Sequence, residues 1–91
     1  MDYITKEIEV EIKEKRVSDD IVDRLVEYRK LLHMTQQDIA DATGIKRANV
    51  ARLESKKHAV TLESLVKYAN CLNLELCLEL KEKSERFINA E

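Results

Sequence analysis

The stretch that decides the fold is TQQDIADATGIKRANVARLES, which occupies residues 35–55. Two short segments in it carry apolar residues at helical spacing, and Gly44, the only glycine of the chain, stands between them. Glycine accepts the positive φ angle that a tight turn between two helices requires. The stretch therefore predicts two short helices, at about residues 36–42 and 46–55, joined by a turn at Gly44.

Two short helices joined by a tight turn meet at roughly a right angle, which restricts the residues at the crossing. Ala40 provides a small side chain on the first helix, and Val50 provides an apolar anchor on the second. Ala40, Gly44 and Val50 are thus the predicted structural residues of the turn. The side chains on the outer face of the second helix are small or basic. Such a face could enter the major groove of DNA, which is about 12 Å wide.

Three parts of this pattern resemble the phage repressor and Cro family of helix-turn-helix regulators, also called XRE-like. They are Met34-Thr-Gln-Gln-Asp-Ile-Ala, Thr43-Gly-Ile and Val50-Ala-Arg-Leu-Glu. The resemblance covers roughly residues 21–74. It implies a sequence-specific transcriptional regulator, a repressor, that binds double-stranded DNA at a palindromic operator as a homodimer.

The resemblance also implies roles for individual residues. The residues expected to read bases are Lys46, Arg47, Ala48 and Arg52. Those expected to bind phosphates are Gln36, Asn49, Ser55, Lys56 and Lys57. Arg29 and Glu54 match a pair that forms an internal salt bridge in some members. Lys46 departs from the family pattern, in which a Ser or Thr commonly caps the second helix, called the recognition helix. Lysine cannot accept a hydrogen bond as such a cap does.

The flanking sequence predicts further helices. Ser18 has the character of an N-cap for a helix to about residue 32, and Thr61 for a helix to about residue 71. Thr35 and Asp38 form a weak variant of the capping box. Residues 3–16 fit both a helical stripe and strand alternation, and their Glu and Lys content favours helix. Tyr28 and Tyr68 lie on otherwise apolar helices and are expected in the core.

Residues 72–80 change to a period of two, because leucine occupies every even position. This pattern predicts a one-sided β-strand. A lone strand leaves its backbone unpaired, so we expect it to pair with its own copy across a two-fold axis. The predicted dimer contacts are Leu72, Leu74, Leu76, Leu78 and Leu80. The competing arrangement pairs the strand with the N-terminal segment of the same chain.

The predicted fold is therefore mainly α: a repressor-like helix-turn-helix bundle of about five helices with one C-terminal β-strand that pairs across a dimer. We divide the chain into a helical N-terminal extension at residues 1–17, a DNA-binding domain at 18–72, and a C-terminal strand and charged tail at 73–91. The 91 residues suit one small domain.

The overall charge of −2 is unevenly distributed, because residues 46–58 contain five basic residues and one acidic residue. A local basic patch is typical of a nucleic-acid contact. The sequence shows no nucleophile and base arrangement and no zinc spacing of its two cysteines. We therefore expect no enzyme activity, no cofactor and no metal. No apolar stretch is long enough to cross a membrane and no signal peptide is evident, so we expect a cytoplasmic protein.

The leucine-rich C-terminal segment also resembles that of the HigA- and HipB-type antitoxins. This second resemblance implies an antitoxin that represses its own operon and binds a toxin, and the acidic net charge is compatible with a basic toxin. A third interpretation is an adaptor that keeps the fold but binds protein rather than DNA. The basic residues of the second helix and of the segment after it favour DNA.

Overall fold

The computed structural model describes the backbone of residues 2–82 and the side chains of residues 13–82. This part of the chain contains four helices: α1 (Asp2–Leu31), α2 (Gln36–Thr43), α3 (Arg47–Glu54) and α4 (Leu62–Cys71). The prediction of a mainly helical fold is confirmed, but the prediction of about five helices is wrong. No helix within residues 2–82 is long and apolar enough to span a bilayer.

Helix α1 accounts for the difference in helix number, because it runs without interruption from Asp2 to Leu31. The N-cap predicted at Ser18 is wrong: its hydroxyl donates to the carbonyl oxygen of Lys15 at 3.1 Å, inside the helix. No proline or glycine interrupts this segment. Extending an existing helix adds one hydrogen bond per residue, whereas starting a new helix is costly. Residues 3–16, for which two interpretations were open, are helical.

The capping signals at the two later threonines are confirmed. Thr35 Oγ1 accepts the backbone N–H of Asp38 at 3.1 Å, and Asp38 Oδ2 accepts the backbone N–H of Thr35 at 2.7 Å. These reciprocal bonds form the predicted capping box of α2. Thr61 Oγ1 accepts the backbone N–H of Ser64 at 3.1 Å and so begins α4.

All four helices contribute to one small core. The buried residues are Val22, Leu25, Ile39, Ala40, Val50, Leu53, Leu65, Tyr68, Ala69 and Leu72. Each fully buried large apolar side chain contributes about 1.5–3 kcal/mol. Tyr68 is fully buried, as expected, but Tyr28 is 46% exposed and lies outside the core. The core holds α3 by its inner residues, which leaves the opposite side of that helix free.

The predicted strand at residues 72–80 is absent within the described chain. Leu72 follows α4 with φ −93° and ψ 6°, and Asn73 has a left-handed φ of 61°, so these two residues form a turn. Leu72 is therefore buried in the core of its own chain, and its assignment to a dimer interface is wrong. Pairing with a strand of the N-terminal segment is also wrong, because that segment is helical.

Beyond this turn the leucines divide into two groups. Leu74 and Leu76 pack against the core, whereas Leu78 is 68% exposed and Leu80 is fully exposed. The division indicates that the segment follows the surface of the bundle and then leaves it. Residues 83–91, which include most of the predicted charged tail, lie outside the described residues.

Candidate nucleic-acid interface

Gly44 forms the turn between α2 and α3. Its φ is 78°, and its N–H donates to the carbonyl oxygen of Ala40 at 2.9 Å. The hydroxyl of Thr43 donates to the carbonyl oxygen of Ile39 at 2.7 Å and accepts the N–H of Ile45 at 3.2 Å. These bonds satisfy backbone groups at the end of α2 and direct the chain into α3.

Helix α3 is buried on one side and exposed on the other. Val50 is completely buried and Leu53 is 7% exposed. The four residues predicted to read bases are all exposed, and three of them, Lys46, Arg47 and Ala48, are consecutive. Lys46 occupies the N-cap position without a side-chain cap, as the departure from the family pattern predicts. The exposed side of α3 is thus basic and carries small side chains between the charges.

A groove of about 440 Å³ runs beside α3, between this helix and the beginning of α4. Asn49, Arg52 and His58 are among the residues that line it. The guanidinium of Arg52 lies with Nη2 3.4 Å from Nδ1 of His58. Residues that were predicted to contact bases and phosphates therefore border one concave surface.

Glu54 is the last residue of α3, and its carboxylate binds Arg29 of α1. Arg29 Nε donates to Glu54 Oε2 and Arg29 Nη2 donates to Glu54 Oε1, each at 3.0 Å. The third nitrogen, Nη1, donates to the carbonyl oxygen of Met34 at 2.8 Å. The ion pair that the family resemblance implied is therefore present, and it is almost excluded from solvent.

Two further side chains complete this cluster, and the sequence analysis missed both contacts. Gln36 Nε2 donates to Glu54 Oε1 at 3.1 Å, and the hydroxyl of Tyr68 donates to Glu54 Oε2 at 2.6 Å. Gln36 and Tyr68 lie 18 and 14 residues from Glu54, so helical spacing cannot reveal these contacts. The single carboxylate therefore joins α1, α2 and α4 to the end of α3.

The cluster shifts the pKa of three of its members and leaves their charge states at neutral pH as they are. Burial alone raises the pKa of Glu54, but hydrogen bonds from Tyr68, Arg29 and Gln36 outweigh burial and bring it below the ordinary value of 4.5. Burial raises the pKa of Tyr68, and the nearby Glu54 carboxylate raises it further. Burial lowers the pKa of Arg29, but Glu54 outweighs this and leaves it raised. Glu54 is therefore ionised and Tyr68 neutral near pH 7.

The loop after α3 holds the other residues predicted to bind phosphates. Ser55 Oγ donates to the carbonyl oxygen of Arg52 at 2.6 Å and accepts the N–H of Lys57 at 3.3 Å. Lys56 Nζ lies 2.6 Å from Asp23 Oδ1 of α1, and this hydrogen bond raises the pKa of Lys56. Lys57 is exposed. The two neighbouring lysines are thus placed differently, with Lys56 bound to α1 and Lys57 facing solvent.

Among the described residues, no group of three or more His, Cys, Asp or Glu side chains could hold a metal ion. Cys71 is partly buried and Cys77 is exposed, and both are free thiols.

Comparison with known proteins places this geometry in a family. A helix-turn-helix family model matches residues 25–78, which is more than half of the chain. The cryptic phage CTXphi transcriptional repressor RstR of Vibrio cholerae is 38% identical over 60 residues, a match that covers 63% of this chain. The match spans 54% of the length of that relative. No solved structure gives a significant match. These similarities confirm the resemblance to phage repressors, and the chain belongs to the helix-turn-helix family whose model covers α2, α3 and α4.

Proposed function

We propose that this chain is a DNA-binding transcriptional regulator, a repressor, whose helix α3 enters the major groove. One observation carries this proposal: α3 exposes a basic face while its opposite side is fixed in the core. A recognition helix needs both properties, because base contacts depend on side chains held in one position. Family membership and the repressor to which the chain is similar support the same function.

The proposed base contacts come from α3. Arg47 and Arg52 are long enough to place two N–H groups on guanine O6 and N7. Ala48 allows the helix to approach the base edges closely, and Lys46 reaches the groove from the beginning of α3. These four residues are exposed, so no rearrangement of the core has to precede binding.

The proposed phosphate contacts surround α3. Gln36 stands at the start of α2, and one N–H of its amide is bound to Glu54. The second N–H of that amide remains for a phosphate oxygen. Asn49, Ser55 and Lys57 are exposed along α3 and the loop that follows it. Phosphate contacts fix the register of a protein on DNA without reading sequence.

The experiment that tests this function is selection from a pool of random double-stranded DNA with the full chain, followed by binding measurements at several salt concentrations. We expect the pool to converge on one motif. We also expect binding to weaken as salt rises, because the phosphate contacts release counterions. A pool that remains random, together with binding that salt does not change, would refute the function and favour the protein-binding adaptor.

We also propose that the regulator is a homodimer on a palindromic site and that Leu76, Leu78 and Leu80 form its contact. Leu74 and Leu76 support the segment by packing on the core of their own chain, and Leu76 stays partly exposed beside Leu78. Leu78 and Leu80 are exposed, and contact with the same two leucines of a second copy would remove their apolar side chains from water. A two-fold dimer matches a palindromic operator, because each half of the site then meets the same helix.

A more specific form of the proposal makes the chain the antitoxin of a toxin–antitoxin pair. The net charge of −2 is the observation that favours it, because an acidic surface is compatible with a basic toxin. The test is to co-express the chain with the product of the neighbouring reading frame. A growth defect that this chain relieves, together with a purified complex, would support the antitoxin. A neighbouring product without toxicity would leave a free-standing repressor.

A further inference from the structure

Two lysines connect α1 with the loop after α3. One donates a hydrogen bond from α1 to the loop, and the other donates one from the loop to α1. Lys15 of α1 donates from Nζ to the backbone carbonyl oxygen of Lys56. Lys56 in turn donates from Nζ to Asp23 Oδ1 of α1 at 2.6 Å. Asp19 holds the ammonium of Lys15 at 3.1 Å. We call Lys15, Asp23 and Lys56 the reciprocal clasp.

The clasp acts at the residue where the chain leaves α3. Lys56 has a φ of 60°, in the left-handed region that a residue with a Cβ adopts at a cost. This conformation turns the chain away from the helix axis and leads directly to Lys57 and His58. Holding Lys56 by both its carbonyl oxygen and its side chain therefore fixes the direction in which the next residues leave α3.

Part of the clasp lies outside the family-matched region. The helix-turn-helix model begins at residue 25, whereas Lys15 and Asp23 precede it. Because α1 is one continuous helix, these two side chains are attached rigidly to the core that Val22 and Leu25 enter. The part of α1 that precedes residue 25 thereby supports the loop beside α3.

We propose that Lys56 is a positioning residue and that the clasp presents Lys57 to a DNA phosphate. The proposal rests on the proposed DNA binding. It changes the role of Lys56, for which the sequence predicted a direct phosphate contact. The ammonium of Lys56 is already neutralised by Asp23, so it does not replace a counterion on DNA. Lys57 is exposed, and its ammonium is the phosphate ligand.

Two pairs of variants separate positioning from direct contact, with DNA affinity and its salt dependence as readouts. Lys56→Gln lowers affinity a few-fold but leaves the slope of log K against log salt unchanged. Lys57→Gln lowers affinity and reduces that slope by about 0.9, the value for one phosphate contact. Asp23→Asn opens the clasp and lowers affinity. Its control is Glu27→Gln, which removes one negative charge from an exposed position on the same helix.

The direction of the Asp23→Asn effect is decisive. If Lys56 bound DNA directly, loss of its partner would free the ammonium, and Asp23→Asn would bind more tightly than Glu27→Gln. That result, or a slope reduced by about 0.9 in Lys56→Gln, overturns the proposal. Equal affinity of Asp23→Asn, Glu27→Gln and the wild type also overturns it.

Amide hydrogen exchange in the free protein tests the clasp without DNA. We expect faster exchange at residues 56–58 in Asp23→Asn than in Glu27→Gln, with equal melting temperatures of the two variants. Unchanged exchange overturns the clasp itself. Faster exchange in a protein that selects no DNA motif overturns the proposed function and the role of Lys57, but leaves the clasp in place.

Discussion

Arg29 and Glu54 meet through two parallel hydrogen bonds of 3.0 Å that connect the last turn of α1 to the last residue of α3. Only 11% of the Arg29 side chain and 8% of the Glu54 side chain is exposed. A buried pair of charges is costly to form, but it is more costly to break by removing one partner. The pair therefore fixes the orientation of α3 relative to the rest of the bundle.

Removing Arg29 should destabilise the protein strongly. Arg29→Met leaves the Glu54 carboxylate buried with only Tyr68 and Gln36 as partners, and we expect a loss of about 3–5 kcal/mol in the free energy of unfolding. Urea denaturation measures this change. The control is Lys30→Met, which removes a neighbouring exposed charge and should cost well under about 1 kcal/mol. Equal effects of the two substitutions would show that the pair does not hold the bundle together.

Stability should depend on pH through Glu54. Its pKa is lower in the folded protein than the ordinary value of 4.5. The ionised carboxylate therefore makes its full contribution to the free energy of unfolding above pH 4.5. The contribution is lost as the pH falls through the lowered pKa of the folded state. We therefore expect the difference in unfolding free energy between the wild type and Glu54→Gln to shrink as the pH is lowered from 7 to 3. A difference that stays constant over this range would contradict the assignment.

Backbone strain alone should determine how much a substitution at Gly44 lowers the free energy of unfolding. A Cβ at this position would meet no atom within 4 Å, so collision adds nothing to the cost of its positive φ. We expect Gly44→Ala to cost about 1 kcal/mol and Gly44→Val more, because a β-branched residue is an outlier there. Thermal melting checks the order. Ala42→Val, the same kind of change inside α2, should cost less than about 1 kcal/mol.

Arg47 and Arg52 should each determine the preference for one base pair in each half-site. Arg47→Ala and Arg52→Ala should each cost about 1–3 kcal/mol in binding to the selected motif and relax the preference at a single position. Repeating the selection with each variant reveals which position changes. Lys67→Ala on the exposed side of α4 is the control, and it should return the wild-type motif. An unchanged motif for the arginine variants would exclude them from base reading.

Leu78 provides a test of the dimer that leaves the fold of one chain intact. It is 68% exposed, so Leu78→Glu should not alter the melting of a monomer, but it should place a charge in the proposed contact between copies. Sedimentation equilibrium should show a dimeric wild type and a monomeric variant. Leu62→Glu, at a leucine that is 51% exposed on α4, should stay dimeric. A monomeric wild type at high concentration would refute the contact.

Local chemistry explains which parts of the fold the sequence predicted. Thr35 and Thr61 each accept a backbone N–H three residues along the chain, and Gly44 turns the backbone with its positive φ. Helices α2 and α4 therefore begin after these threonines, and α2 ends before Gly44. Ser18 has the same chemistry, but the helix before it continues, and its hydroxyl bonds inside α1 instead. A capping residue can act only where the preceding chain is not already helical.

The remaining differences depend on distant parts of the chain. Alternating leucines predicted a strand from residue 72. Leu72 is instead buried in the core directly after α4, and Asn73, with a left-handed φ, turns the chain there. The positions of Gln36 and Lys56 in the candidate interface follow from Glu54 and Asp23, which lie on other helices. A spacing rule compares neighbours along one helix, so it cannot identify such partners.

The position of Tyr68 has a consequence for how the chain is made. A ribosome releases α1, α2 and α3 before α4, so the Glu54 carboxylate emerges while Tyr68 is still inside the exit tunnel. Until that hydroxyl arrives, Glu54 Oε2 has Arg29 Nε as a partner but lacks its second hydrogen bond, which makes burial of the carboxylate less favourable. We therefore expect the core around Glu54 to close fully only once α4 has left the ribosome.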